Sequence, residues 1–231
     1  TGMNRLGISE TELNSSLKNT VLNNLSQLNV SAIMSHLSSS DTPSHKANEM
    51  QRVRFEKMSK KIASLPLSLA ASHGMLMSKE FHYDITRPGL ALYGYLDNPN
   101  TNFNCKPILD WMAPILQIRD IRKGEHIGYG ADFRANRSMR VATIGAGYAD
   151  GYRRSLAQSG KVDVGGYICS LVGRISMDSL VIDVSNVPEA ILGKETQVCL
   201  IGKHYNAKDM ASDLSTISYE ILTNLGSRPQ R

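Results

Sequence analysis

The hydrophobic periodicity of this 231-residue chain changes once, near residue 106, and that change constrains the fold more than any other feature. Before it, apolar residues recur at helical spacing in two segments, and short apolar runs typical of strands follow. A capping box, Ser9 with Glu12, marks the start of the first helix. The predicted order is helix 10–28, strand 30–37, helix 48–64, strand 67–71 and strand 85–93. This alternation predicts parallel strands with right-handed crossovers.

Beyond residue 106 the helical spacing gives way to short β-rich runs separated by glycine, aspartate, asparagine and proline. Such runs are typical of a mostly antiparallel β domain. They lie at 107–119, 140–144, 166–172, 180–184 and 198–201, and a last helix is predicted at 216–225. The polar stretch at 95–104 suits a linker, so we expect one domain over 1–103 and another over 104–231.

The composition argues against several classes of protein. The chain is 41% hydrophobic and 20% charged, with no apolar run long enough to span a membrane and no signal-peptide pattern. Its three cysteines form no Cys-x-x-Cys pair, which argues against a disulfide framework or a zinc site and fits a reducing cytoplasm. The net charge of +5 is scattered, except on one helix whose basic residues we interpret as a solvated face: Arg52, Arg54, Lys57, Lys60 and Lys61. We therefore expect no nucleic acid, membrane or metal partner.

Polar residues follow the predicted strands of the first half. His36, Ser72 and the segment 87–90 each lie at or beyond the carboxyl end of a strand, where parallel sheets and barrels bind ligands. Taken singly, His36 could be a packing residue and Arg87 a structural ion-pair partner. Together they predict a lined pocket. About three strands are too few for the ~8 that close a parallel barrel, so part of such a barrel would be missing.

A glycine-rich segment follows the apolar run at 141–144, and its sequence is IGAGYADGYR over residues 144–153. Its glycines allow tight turns that leave Tyr148 on an irregular rim at a strand end. A phenol held there is either a core residue with one hydrogen bond or a functional group, and these ten residues do not decide between the two.

Four segments resemble hallmark segments of bacterial alanine racemases, which use pyridoxal phosphate (PLP). They are TGMNRLG at 1–7, RPGLALYG at 87–94, GYADGYRR at 147–154 and GRISMD at 173–178, in the order that the family has them. The resemblance implies an α/β plus β fold: the C-terminal part of a (β/α)8 TIM-like barrel, then a mostly antiparallel β domain. Because the chain opens inside a motif of the family, we also expect a fragment that lacks the N-terminal part of the barrel.

By this resemblance, the reaction is racemisation of L-alanine and D-alanine with one base on each face of the Cα carbon. Tyr148 matches one base of the family. The other base is a lysine that no lysine of this chain matches, so we expect the fragment alone to be inactive. Arg5 matches the arginine that steadies the substrate carboxylate, and Met177 and Asp178 match substrate-side residues of the β domain.

The resemblance also implies how PLP is held. Arg87 matches the arginine that faces the pyridine nitrogen, and His36 matches a histidine beside the ring. The phosphate-binding positions are matched by Ser72, Gly89 and Leu90. Two positions depart from the family pattern: Ala71 stands where an asparagine commonly precedes the serine, and Ser227 stands near the place of a phosphate-contacting tyrosine.

Other functions stay open at this point. One is a broader racemase that acts on serine or basic amino acids. The others are a non-catalytic PLP-binding carrier on a similar barrel, and a β module without a ligand. The family resemblance further implies a cytoplasmic homodimer with shared active sites, in which Tyr148 reaches the partner's site and the product D-alanine supplies peptidoglycan.

Overall fold

Two short parallel strands lie at the centre of the first of two compact units, Thr1–Lys106 and Pro107–Arg231, in this computed structural model. The structure describes residues 1–15, 27–62, 64–96, 105–193 and 197–226. Strands β1 (Ile33–Met34) and β2 (Leu67–Ser68) pair in parallel. Both lie within predicted strands, and their parallel pairing is the arrangement that the alternation of strands and helices predicts.

Three α-helices of this unit lie within the described residues. Helix α1 (Glu10–Asn14) begins at the predicted capping box, but residues 16–26 of the predicted helix 10–28 lie outside the described residues. Helix α2 (Lys46–Ser59) begins two residues before its predicted start, because the Nδ1 atom of His45 accepts the Ala47 N–H at 3.1 Å and caps it. It ends five residues before its predicted end at residue 64. A single helical turn, α3 (Ser72–Met75), directly follows the region of β2.

The core of the first unit packs α2 against the two strands. Phe55 of α2 contacts a cluster of buried side chains: Leu37, Leu69 and Phe81. Phe55 also meets Tyr83 edge to face, with ring centroids 5.4 Å apart, which is a favourable aromatic geometry. This packing fixes the carboxyl ends of β1 and β2, where the predicted site residues lie.

The predicted strand at 85–93 is wrong. Only one residue of it pairs with a neighbour, in a parallel bridge between Arg87 and Ala71, and Leu90–Tyr93 is a 3-10 helix. Pro88 has no N–H to give to a strand ladder. The N–H groups of Gly89 and Ala91 donate to the Ser72 side chain, at 2.9 and 3.1 Å. The N–H groups of Ile85 and Arg87 still donate to backbone carbonyls of the β2 region, so the hydroxyl replaces a strand partner only from Gly89 onward.

The second unit contains a six-stranded sheet in the order β8-β7-β10-β3-β6-β9, with every neighbouring pair antiparallel. Its strands are β3 (Trp111–Ile121), β6 (Met139–Ile144), β7 (Lys161–Val164), β8 (Tyr167–Ser170), β9 (Leu180–Asp183) and β10 (Gln197–Ile201). A small hairpin joins β4 (His126–Ile127) to β5 (Phe133–Arg134). The prediction of mostly antiparallel strands is confirmed, but β4, β5 and β7 are absent from it.

The two edges of the six-stranded sheet meet. Leu171, just after β8, bridges to Ile182 of β9, and the N–H of Val172 donates to the Val181 carbonyl at 2.9 Å. Closure leaves fewer unpaired edge groups that could pair with another chain. The sheet thus curls on itself around buried side chains of its inner face.

The described part of the second unit also contains three short α-helices: α4 (Glu189–Leu192), α5 (Ala207–Asp213) and α6 (Ser218–Thr223). Helix α6 lies inside the predicted helix 216–225. Helix α5 is a missed element, although its capping box of Asn206 and Asp209 was a readable signal. Within the described parts of the chain, none of the helices has the length and apolar character that crossing a membrane requires.

The hairpin between β7 and β8 provides a test of the sheet. Its two turn residues have positive φ, +56° at Gly165 and +94° at Gly166, as a type I′ turn requires. We expect Gly166→Ala to lower the free energy of unfolding by about 1–2 kcal/mol, because an L side chain is strained there. Gly165→Asn is the control, since asparagine tolerates its φ. Urea denaturation measures both; equal losses for the two variants would contradict this account.

Candidate active site

The guanidinium of Arg87 lies among the ends of β1 and β2 and makes four hydrogen bonds there. Its Nη1 donates to Ser68 Oγ at 2.6 Å, and its Nη2 lies 2.9 Å from the Ser35 carbonyl, 3.2 Å from His36 Nδ1 and 3.3 Å from the Leu69 carbonyl. None of these partners is a carboxylate. Burial lowers the pKa of Arg87, but a guanidinium stays protonated in proteins. The site therefore holds a positive charge that only dipoles balance.

His36 lies beside this charge. A guanidinium can only donate, so Nδ1 of His36 accepts from Arg87 and the ring proton of the neutral form is on Nε2. Burial lowers the pKa of His36 below its ordinary value of 6.5, and the positive charges of Arg87 and Arg5 lower it further. The structure thus brings two predicted site residues, Arg87 and Arg5, near the neutral imidazole of a third, His36.

Arg5 and His36 line a groove of about 400 Å³ between the opening segment, β1 and α2. Apolar side chains form most of its wall, among them Ile33, Phe55 and Met58. Arg5 is exposed to solvent at this groove. A small anionic group would meet a cation there against an otherwise apolar surface.

The hydroxyl of Ser72 organises a second part of the first unit. Ser72 is buried, and its Oγ accepts the N–H groups of Gly89 and Ala91. Both lone pairs are thereby occupied, and the hydroxyl hydrogen has no acceptor among the described residues. Leu90 begins a 3-10 helix, so its N–H has no intrahelical acceptor. A Cβ placed on Gly89 would meet nothing within 4 Å, so a ligand can approach the backbone there.

Tyr148 belongs to the second unit and opens a one-turn 3-10 helix, Tyr148–Asp150, after β6. Backbone bonds fix it: its N–H donates to the Ser176 carbonyl at 3.1 Å, and the next N–H donates to the Met177 carbonyl at 3.0 Å. A Cβ on Gly147 would lie 2.3 Å from the Ser176 oxygen, so only glycine allows this contact. The ring is 42% exposed, and its hydroxyl has no hydrogen-bond partner among the described residues. The core interpretation of Tyr148 does not fit these facts.

A second tyrosine in the same loop shows what a core phenol looks like here. Tyr152 is fully buried, and its hydroxyl donates to the Lys161 carbonyl at 3.0 Å. Burial raises the pKa of Tyr152 far above its usual range. Met177 and Asp178, the other predicted residues of the second unit, are exposed beside the Tyr148 loop. Each of the two units carries its own set of predicted residues.

Sequence reasoning missed the residues that hold the site. Ser68 is buried between Arg87 and the Ile85 carbonyl, and Gln51 of α2 donates to the His36 carbonyl at 3.1 Å. Strand-end serines follow no motif, and the partner of Gln51 lies fifteen residues away in sequence. Of the two departures, Ala71 precedes α3 without a side-chain cap, and Ser227 lies outside the described residues.

Comparison with known proteins identifies the family. A family model described as alanine racemase, C-terminal domain, matches residues 108–231, and one described as alanine racemase, N-terminal domain, matches residues 1–97. This chain belongs to the alanine racemase family. The resemblance of its four motifs is therefore confirmed.

Individual alanine racemases agree with this assignment. The chain is 39% identical over 244 residues to the alanine racemase of Brucella ovis and 37% identical over 232 residues to the catabolic alanine racemase of Agrobacterium fabrum. All of the chain is covered, but only 61% and 59% of those proteins. The chain thus spans about three fifths of the length of these curated relatives.

Solved structures of alanine racemases have the same fold. The Bartonella henselae enzyme, with covalently bound pyridoxal phosphate, superposes with a TM-score of 0.87 at 33% identity, over 100% of this chain and 64% of that one. The Bacillus anthracis enzyme with bound L-Ala-P gives a TM-score of 0.86 at 28% identity, over 97% of this chain and 60% of that one.

The lowered pKa of His36 predicts a pH dependence of stability. The unfolded chain binds this proton more tightly than the folded chain, so stability is lost as the pH falls below 6.5 towards the folded-state pKa. We expect the wild type to lose more stability between pH 7.5 and 5.5 than His36→Asn, which keeps an acceptor for Arg87 but does not titrate. Thermal denaturation across this range measures the difference. Parallel curves for the two proteins would be the contrary result.

Proposed function

We propose that this chain contributes the cofactor-binding and tyrosine-bearing parts of an alanine racemase that interconverts L-alanine and D-alanine with PLP. The observation that carries the proposal is the Arg87 guanidinium, held by strand-end dipoles without a carboxylate partner among its hydrogen bonds. Such a cation suits a neutral, electron-rich acceptor or an anion. Family membership supports the same reaction.

The first unit would be the C-terminal part of a TIM-like barrel, with its ligand at the carboxyl ends of the strands, and the second unit would be the β domain. We place the domains at residues 1–103 and 104–231. The parallel pair β1 and β2 supports this arrangement, because both strands direct their following residues, His36 and Ser72, to one edge. The chain matches about three fifths of the length of its relatives, and strands from the remaining part of such a protein would close the barrel.

The residues of the first unit fit PLP. Ser72 has a hydroxyl hydrogen to give to a phosphate oxygen, and the backbone at Gly89 and Leu90 is open to the same group. Arg87 has an Nε–H without a partner among the described residues, and it would donate to the pyridine nitrogen. His36 would lie beside the ring. When bound, PLP supplies an electron sink for the pair left at Cα after proton removal.

Arg87 would limit side reactions. A guanidinium donates to the pyridine nitrogen and disfavours its protonation, because it does not give up its own proton. An uncharged ring is a weaker electron sink than a protonated one. Transamination, in which alanine gives its amino group to the cofactor and leaves as pyruvate, would therefore be suppressed relative to racemisation.

Tyr148 would hold or remove the α-proton on one face of the substrate, and a lysine would do so on the other. No lysine of this chain matches that second base. Arg5 would bind the substrate carboxylate, and Met177 and Asp178 would line the substrate side. Tyr148 has a backbone fixed by hydrogen bonds and a half-exposed phenol without a partner among the described residues, which supports its role, since a proton-transfer group needs a fixed position and access to substrate.

The family resemblance supports three further proposals. The enzyme would be a homodimer in which Tyr148 of one subunit completes the active site of the other, an arrangement that a two-fold axis makes reciprocal. It would act in the cytoplasm. Its D-alanine would supply peptidoglycan.

Replacement of Tyr148 tests the two-base mechanism in the completed enzyme, meaning this chain joined to a segment that carries the family lysine. Tyr148→Phe should lower racemisation in both directions by roughly 10²–10⁴-fold, the value of a general acid–base group. The lysine face should still exchange the α-proton of D-alanine with solvent deuterium, while L-alanine loses its exchange. Mass spectrometry of each enantiomer measures this asymmetry.

Tyr152→Phe is the matched control, because it removes a phenol from the same loop whose hydroxyl bonds only within the core. Its expected effect is a loss of stability of about 1 kcal/mol, the net value of one hydrogen bond, with no asymmetry between enantiomers. Equal loss of exchange for both enantiomers in Tyr148→Phe, or loss for neither, would refute the assignment.

The 231-residue chain itself gives a further test. Mixed with PLP and either enantiomer of alanine, it should produce none of the other, because the second base is absent from it. The completed enzyme is the positive control. Optical-activity or chiral chromatography assays measure the product, and racemisation by the 231-residue chain alone would show that another residue serves as the second base.

A further inference from the structure

We propose that Ser68 is a positioning residue that sets the orientation of the Arg87 guanidinium. The inference extends the proposed function, because it concerns how Arg87 is aimed at the cofactor. Ser68 is the last residue of β2 and is 3% exposed. Its Oγ accepts from Arg87 Nη1 at 2.6 Å and donates to the Ile85 carbonyl at 2.6 Å.

The direction of both hydrogen bonds follows from chemistry. A guanidinium has no acceptor, so Ser68 must accept from Arg87, and its single hydrogen then goes to the carbonyl of Ile85. The hydroxyl has therefore one orientation. Ile85 lies two residues before Arg87, so Ser68 connects the side chain of Arg87 to the backbone segment that carries it.

The other terminal nitrogen of the guanidinium has more acceptors than hydrogens. Nη2 carries two hydrogens but has three acceptors within 3.3 Å: the carbonyls of Ser35 and Leu69, and Nδ1 of His36. Its hydrogens therefore do not select a single set of acceptors. Ser68 is the only partner of Nη1 among the described residues, so it alone restrains that side of the planar group.

The choice of a hydroxyl matters for charge. A carboxylate at residue 68 would hold Arg87 equally well, but it would neutralise the guanidinium. A serine hydroxyl fixes the plane of the guanidinium and leaves its charge uncompensated. Burial lowers the pKa of His36, and the charge of Arg87 beside it lowers that pKa further.

Nuclear magnetic resonance of the completed enzyme, labelled with ¹⁵N in arginine and histidine and studied without cofactor, tests the inference. In the wild type, restricted rotation should keep the Arg87 Nη signals separate. In Ser68→Ala these signals should merge, and the pKa of His36 should rise towards 6.5 as Arg87 moves away. Ser68→Thr, which keeps the hydroxyl, should retain the wild-type signals and titration.

Two further variants keep the test decisive. Ser185→Ala is the matched control, because the Ser185 hydroxyl likewise accepts one hydrogen bond, from the backbone N–H of Arg140, and donates one, to Asp183, away from the bonds of Arg87. It should leave Arg87 and His36 unchanged. Ser68→Cys decides the question if Ser68→Ala does not fold, since a thiol of similar size accepts hydrogen bonds weakly. Separate Nη signals and a wild-type His36 titration in the folded Ser68 variant would overturn the inference.

A second readout distinguishes this inference from the proposed role of Arg87. In Ser68→Ala with PLP bound, racemisation should fall by roughly ten- to a hundredfold, as expected for a displaced catalytic group. Pyruvate formed per alanine racemised should rise, and Ser68→Thr should restore both. If the resonance signals show that Arg87 has moved but the pyruvate ratio stays constant, Ser68 does position Arg87 and the proposed control of transamination by Arg87 is wrong.

Discussion

The interaction on which the first unit depends is the contact of one guanidinium with the ends of two parallel strands. Arg87 donates hydrogen bonds to the Ser35 carbonyl and His36 Nδ1, which follow β1. It also donates to the Ser68 hydroxyl and the Leu69 carbonyl in the region of β2. A partly buried cation without a carboxylate is costly, and structures usually pair such a charge. Here the dipoles reduce the cost without removing the charge. That uncompensated charge is what a cofactor nitrogen would meet.

The positive charge of Arg87 also favours the neutral form of His36 beside it. His36 is neutral because burial and two neighbouring cations disfavour its protonated form. A neutral imidazole can accept from Arg87 at Nδ1, which a protonated one cannot. Gln51, buried in α2, holds the backbone of the same segment by its bond to the His36 carbonyl. The packing of α2 thus holds the backbone at His36 in place, so this part of the site is ordered without a ligand.

The second unit achieves rigidity in another way. Its tyrosine is fixed by backbone contacts that only glycine permits, with Gly147 packed against the carbonyl groups of Ser176 and Met177. Tyr152, four residues beyond Tyr148, anchors the loop in the core through its buried phenol. The loop therefore carries one phenol that stabilises the fold and one that the fold leaves available.

Much of the architecture could be predicted from local signals. The change of periodicity near residue 106 separated a parallel α/β part from an antiparallel β part, and four short motifs indicated the family. The prediction from local sequence failed where a side-chain hydrogen bond between distant residues replaced the backbone hydrogen bonds of a strand. Residues 85–93 read as an apolar strand, but the Ser72 hydroxyl takes the N–H groups of Gly89 and Ala91. Nothing in the local sequence encodes a partner seventeen residues away.

The sequence by itself determined which residue types are present, where turns must form and which family the chain resembles, because propensity, glycine geometry and motifs act over a few residues. The tertiary structure alone decided which groups are free to act. Tyr148 and Tyr152 lie in the same loop, but Tyr148 is exposed and Tyr152 is buried. Ser68 holds Arg87 only because the segment that carries Arg87 lies beside the region of β2 in the fold. Burial and hydrogen-bond saturation depend on distant parts of the chain, so they follow from the folded arrangement and not from the order of residues.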